Sequence, residues 1–268
     1  MEKLHIGLFN DSFPPTIDGV AQAVKNYAGV LHRNHCDVTV VTPGYKGVRD
    51  DYPFEVFRYP SIPLDRRIGY RAGNPFNPDT LIKLRRKHFD LMHIHAPFAS
   101  SVLVNNINHR PRVPTVLTYH TKFDIDIAKR VHLHGMRRLA MRFLLDNVNA
   151  VDEVWVVTEG CGRALRKIGY KGGYTVMENG TDFAYGQAAD TDVHTLREKY
   201  RIQDDEFVFL FVGRMMWYKN IRLILDSLAL LQKEGVPFRA LLVGDGYDAP
   251  DIRTYAGTLG LQNCVVFT

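Results

Sequence analysis

Residues 153–168 read EVWVVTEGCGRALRKI. The first five, Glu153 to Val157, read as a strand whose Val154-Trp155-Val156-Val157 are apolar without alternation, the pattern of a strand covered on both faces. The ten after them, 159–168, read as a helix. A strand that passes straight into a helix is half of a βαβ unit, and a chain built from such units folds around a parallel sheet.

The same alternation extends in both directions. Strand-like runs fall at 4–9, 36–41, 54–58, 91–94, 113–118, 153–157 and 173–177. Helix-like runs fall at 19–33, 77–87, 97–109, 135–148 and 159–168. In 19–33, Val20, Ala23, Val24, Tyr27, Val30 and Leu31 share one face. Residues 183–205 are polar and read as a linker with room for one short helix. The pattern then restarts: strands at 207–212, 238–243 and 264–267, helices at 221–233 and 249–259. The expected fold is α/β, with two doubly wound parallel-sheet domains: residues 1–182, a linker at 183–205, and an incomplete second domain at 206–268. About 60 residues of regular pattern are fewer than such a domain needs.

Of the 268 residues, 46% are hydrophobic and 24% charged, an ordinary globular composition. The opening residues read as a first strand, no run suits a membrane span, and the three cysteines lack C-x-x-C spacing. These features fit a reduced, cytoplasmic chain. The tripeptide Asn179-Gly180-Thr181 reads as a turn. Residues 1–190 hold 25 Lys and Arg against 19 Asp and Glu, and residues 191–268 hold 9 against 10. The basic surplus thus suits an anionic surface or a phosphorylated ligand of the first domain. Aromatics do not interleave with the basic runs, so nucleic acid is the weakest of these partners. There is no P-loop motif, and no G-x-G-x-x-G follows the first strand.

In open parallel sheets ligands sit beyond the carboxyl ends of the strands. Beyond the first comes Asn10–Val20, NDSFPPTIDGV, whose Gly19 opens a helix and lets a phosphate approach backbone N–H groups. His93 and His95 share a strand face, as a metal pair or a hydrogen-bonding pair. Tyr119 and His120 follow the fifth strand, and His120 can donate a hydrogen bond to a sugar hydroxyl or take a proton. Asn179-Gly180 reads as a tight turn and hinge where the chain leaves the first domain. In the second domain Arg214 and Lys219 flank a loop entering a helix, the makings of a diphosphate clamp. Gly244 and Gly246 form a further glycine-rich turn.

In this order the segments resemble those of the retaining GT-B fold glycosyltransferases of family 4, over the whole chain. They are Phe13-Pro14-Pro15 with Gly19, Thr118-Tyr119-His120, residues 178–182, Gly213-Arg214 with Lys219-Asn220, and residues 243–246. The resemblance implies an acceptor-binding first domain and a second domain that holds a nucleotide-sugar, UDP- or GDP-linked. It places Gly19, Arg214, Lys219 and Gly244 at the donor, His120 as the catalytic residue beside the transferred sugar, and Phe13, Tyr119 and Asp124 at the acceptor. It requires no cofactor and no metal, and the departing phosphate would assist deprotonation of the acceptor. Glu178 stands where the family usually has proline. The family continues past a segment like 264–268 to two glutamates, so a truncated chain is expected, and a non-catalytic binding module is the alternative. The opening and residues 119–124 are similar to enzymes that glycosylate diacylglycerol or related lipids. Residues 129–143 mix cations with Val, Leu, Met and Phe. They suit either a helix lying on the inner membrane face or a core helix with a basic outer face, Gly135 favouring the latter.

Overall fold

The computed structural model describes residues 3–16, 18–65, 70–108, 111–120, 133–181 and 185–268. The chain divides into two compact units, Met1–Phe183 and Ala184–Thr268.

In the first unit seven strands form one parallel sheet: β1 (His5–Phe9), β2 (Asp37–Pro43), β3 (Glu55–Tyr59), β6 (Leu91–Ile94), β7 (Thr115–Tyr119), β8 (Glu153–Val156) and β9 (Thr175–Val176). Their order is β3-β2-β1-β6-β7-β8-β9. The strand order reverses at β1, where Leu8 lies between Val40 of β2 and His93 of β6. Alternate residues of β1 enter different cores. Ile6 and Leu8 pack with Val24 and Ala28 of α1 (Gly19–Arg33). Phe9 packs with Ile94, Leu103, Leu117 and Val156. This is the two-faced burial that the unalternating strands require.

The helices begin where side chains can cap them. Asp18 accepts a hydrogen bond from the Ala21 amide at 2.8 Å and starts α1. Asn77 accepts from the Thr80 amide at 2.9 Å and starts α2 (Pro78–Arg85). In α3 (Ala99–Ile107) the preceding Phe98 offers no side-chain cap. Asp11 takes that place from the loop after β1, accepting from the amide and hydroxyl of Ser100 at 2.8 and 2.7 Å.

Sequence periodicity missed one element. Residues 61–73 hold an antiparallel pair, β4 (Ser61–Asp65) and β5 (Tyr70–Gly73). Their two-stranded sheet is tied back to the first loop, because the Tyr70 hydroxyl donates to Asp18 Oδ2 at 3.0 Å. The segment expected to turn tightly, 178–181, runs in exposed irregular backbone.

The second unit opens with the helix Asp190–Lys199, which buries no side chain. It then forms a parallel sheet in the order β10 (Phe207–Val212), β11 (Phe238–Val243), β12 (Val265–Phe267). The helices Ile221–Lys233 and Ala249–Thr258 cover one face through Ile221, Leu225, Leu228, Ile252 and Ala256. β10 pairs only with β11 among the described residues, and Phe207, Leu210 and Val212 stand largely in solvent. An apolar edge strand of this kind is an unfavourable exposure.

Candidate functional site

At the strand-order reversal of the first unit, the loops after β1, β6 and β7 carry Asp11, Asp18, Gly19, His95 and His120. The surrounding loop is anchored by Arg58. Its guanidinium pairs with both oxygens of Asp50 at 2.7 Å and donates to the Pro14 carbonyl at 2.6 Å. Gly19 is exposed, its φ is ordinary, and a Cβ there would meet nothing within 4 Å. Neither packing nor backbone conformation demands a glycine, so the open space lies free for a ligand beside the start of α1.

The three histidines form a connected cluster. His93 Nε2 bonds the Thr118 hydroxyl at 2.7 Å, and the His93 and His95 ring centroids are 4.0 Å apart. His95 Nδ1 meets His120 Nε2 at 2.9 Å. Tyr27 of α1 packs its ring against both His93 and His95, and Trp155 of β8 meets His93 edge-on. Of the two sequence readings, the His93–His95 pair takes the hydrogen-bonding one, since each ring has a nitrogen engaged by a neighbour. Burial drives their titration down: His93 falls to about 3, helped by His120, and His95 falls well below the ordinary range. Burial also takes His120 down to about 4, against an upward pull from the Asp18 carboxylate. The cluster is therefore neutral at pH 7. Asp11 moves the other way: burial raises it to about 6, partly offset by its hydrogen bonds from Ser100.

Two expected acceptor residues are placed otherwise. Phe13 and Tyr119 are fully buried. The Phe13 ring packs edge-on against Tyr52, and Tyr119 belongs to the core under β7. A side chain with no accessible surface offers an acceptor nothing to touch, so both support the floor of the site. Asp124 lies outside the described residues. Sequence reasoning overlooked Asp18, which both caps α1 and acts on His120. A carboxylate just before a helix-opening glycine is the local signal that could have found it.

In the second unit, Arg214 and Lys219 sit on the loop that joins β10 to the helix Ile221–Lys233. Arg214 is half-buried, and no hydrogen bond or ion pair with a described residue engages its guanidinium. Lys219 is exposed, its ammonium 5.5 Å from the centre of the Tyr218 ring. Asn220 takes left-handed backbone, φ 58°, and gives the helix no side-chain cap, so its first amides remain open. The glycine turn serves packing. Gly244 has φ +130°, and a Cβ there would strike the Gly213 carbonyl. Gly244 thus brings the β10 and β11 loops together.

The sequence profile described as Glycosyltransferase Family 4 matches residues 17–185, and that described as Glycosyl transferases group 1 matches residues 192–268. The chain belongs to Glycosyltransferase Family 4. It is 26% identical to the alpha-monoglucosyldiacylglycerol synthase of Streptococcus pneumoniae, over 99% of this chain and 61% of that protein. With the synthase of the same name from Acholeplasma laidlawii it shares 25%, over 92% of this chain and 65% of that protein. The chain thus spans less than two thirds of either relative's length. Among solved structures, Anabaena Alr3699/HepE in complex with UDP-glucose superposes with a TM-score of 0.70 at 18% identity, covering 99% of this chain and 68% of that one. Sucrose-phosphate synthase from Thermosynechococcus elongatus superposes with a TM-score of 0.71 at 17% identity, covering 99% and 70%. These likenesses place the fold in the GT-B class.

Proposed function

We propose that this protein transfers a sugar from a nucleotide donor to an acceptor hydroxyl with retention of configuration, and that the acceptor is a membrane lipid. The observation that carries the donor half is Arg214, a half-buried residue whose guanidinium has no carboxylate partner among the described residues. An unpaired guanidinium can bind a diphosphate bidentately through charge-assisted hydrogen bonds. Lys219 adds a second cation and the uncapped helix start adds N–H donors, so no metal is needed to offset the diphosphate charge. In the reaction the bond from the sugar to the diphosphate breaks and a bond to the acceptor oxygen forms. The acceptor proton passes to the departing phosphate. Within the first unit, His120 is the polar side chain offered to a sugar, and Gly19 leaves open space at the start of α1.

The lipid half rests on the relatives' activity and on the helix His134–Asn149. Leu144, Asn147 and Val148 bury its C-terminal part, whereas Leu133, Met136, Leu139 and Phe143 are exposed at its start. The start is therefore not core-packed. Gly135 falls within the first helical turn and interrupts nothing. Met136, Leu139 and Phe143 form one stripe flanked by Arg137, Arg138 and Arg142, an arrangement suited to an anionic surface. Among the described residues no helix is long and apolar enough to cross a membrane. Contact would be peripheral, at the inner face.

Calorimetry with UDP, GDP and UDP-glucose tests the donor site. Replacing Arg214 by Ala should weaken binding about 10- to 150-fold, the worth of a charge-assisted hydrogen bond of ~1.5–3 kcal/mol. Equal binding by both proteins would remove Arg214 from the site. Binding without transfer to diacylglycerol would favour a nucleotide-binding module.

A further inference from the structure

Along β10 the Phe207 N–H donates to the Pro237 carbonyl at 3.1 Å and the Gly213 N–H to the Val243 carbonyl at 3.0 Å. Peptide groups alternate between the two sides of a strand, so the odd-numbered residues bond β11. The N–H and C=O groups of Val208, Leu210 and Val212 therefore point to the other side, where no strand lies among the described residues.

The side chains of this edge are apolar on both faces. In register with Phe238 and Ala240, which lie in the core under the helices, Phe207 and Phe209 are on the helix side; Val208, Leu210 and Val212 are on the bare side. Phe207, Leu210 and Val212 are 64%, 65% and 69% exposed, and Val208 and Phe209 are 46% and 41% exposed. No charge falls between Phe207 and Val212, although charged side chains are the usual guard of an open edge. The other sheet edges among the described residues are unlike it. β9 has two residues and β12 three, and β3 carries Glu55 and Arg58.

We infer that β10 is a self-association surface, and that its occupant is β10 of a second copy of this chain, antiparallel across a two-fold axis at Leu210. The outward groups recur every second residue, which makes the strand complementary to itself. Leu210 exchanges both hydrogen bonds with Leu210 of the second copy, and Val208 exchanges both with Val212 in each direction. Every outward N–H and C=O of the three residues is then paired. At roughly 100 Å² for each partly exposed side chain, the five apolar residues remove about 500 Å² per copy and about 1,000 Å² in total, the lower limit for a specific interface. Reversible association at micromolar concentration is the corresponding strength. This pairing is independent of sugar transfer.

Sedimentation velocity of the 268-residue chain tests it. Monomer at about 1 µM should give way to a closed dimer toward about 100 µM. Leu210→Lys alters a solvent-exposed side chain and sets two ammonium groups opposite each other at the axis, so it should weaken the dimer at least about tenfold with far-UV circular dichroism unchanged. Leu139→Lys, in the exposed stripe of the helix His134–Asn149, should leave the dimer as it was. Hydrogen exchange should show the Val208, Leu210 and Val212 amides gaining protection with concentration, and the Phe209 amide, already bonded to β11, gaining none. A monomer at about 100 µM would overturn the inference, as would growth into open-ended assemblies. So would a dimer that ignores Leu210→Lys, that dissolves with Leu139→Lys, or that leaves the three β10 amides unprotected.

Discussion

Acidification from pH 7 to pH 5 should destabilise the first unit, with the histidine cluster as the cause. An ordinary histidine in the unfolded chain binds its proton below about 6.5, whereas folded His120 refuses it until about 4 and His93 until about 3. Their pKa values are depressed in the folded state, so stability present above 6.5 is lost as pH falls toward those values. By pH 5 each ring costs about 2 kcal/mol relative to pH 7, at 1.36 kcal/mol per pH unit. His95 adds in the same sense. Asp11 opposes them. Its folded pKa of about 6 lies above its ordinary 3.8, so protonation stabilises the fold as pH falls, by about 1 kcal/mol at pH 5. The histidines win, and a net loss of about 2–3 kcal/mol is expected. Urea unfolding read by Trp155, which abuts His93, in a Trp217→Phe background would measure it. His120→Asn should shrink the loss by about 2 kcal/mol, and Asp11→Asn should deepen it by about 1 kcal/mol. If His120→Asn kept the full pH dependence of the parent chain, the assignment of the lost stability to this ring would be wrong.

The glycines separate in the same assay. Gly244→Ala should destabilise the second unit by ~1–3 kcal/mol, because its positive φ and the Gly213 carbonyl leave no place for a Cβ; a cost under about 0.5 kcal/mol would refute this. Gly19→Ala should leave stability unchanged or raise it by up to about 1 kcal/mol, since its Cβ meets open space in a helix. The same variant should weaken UDP-glucose binding in calorimetry, and undiminished affinity would take Gly19 out of the donor site. Replacing Arg137, Arg138 and Arg142 by Gln should reduce co-sedimentation with anionic vesicles, and the parent chain's binding should fall as salt rises. Salt-independent binding equal in both proteins would exclude the electrostatic part of the membrane contact.

Local chemistry in the sequence determined a good deal. Unalternating strands such as 153–157, each followed by a helical run, dictated parallel sheets, of which that of the first unit is covered on both faces. The boundaries of α1, β6, β10 and β11 were legible to the residue because each change of periodicity coincides with an end of the apolar run. The candidate site residues were chosen from the loops beyond the strands' carboxyl ends, because a parallel sheet gathers those loops at one end. The β4–β5 pair was not legible, because Ser61–Gly73 has no clear period and is held by distant partners such as Asp18. Nor could Phe13 be judged from its loop. The loop looked open to a ligand, yet the side chain fills the core beside Tyr52.

Residue types along the chain thus set which strands and helices form, because burial period and capping act within a few positions. What those residues do was decided by neighbours far away in sequence. Gly19 and Gly244 look alike as letters; one faces open space, and the other is wedged against a carbonyl 31 residues back. His95 and His120 are 25 positions apart. Only the register of β6 beside β7 brings their rings together, and a proton's place on a histidine depends on what its other nitrogen meets.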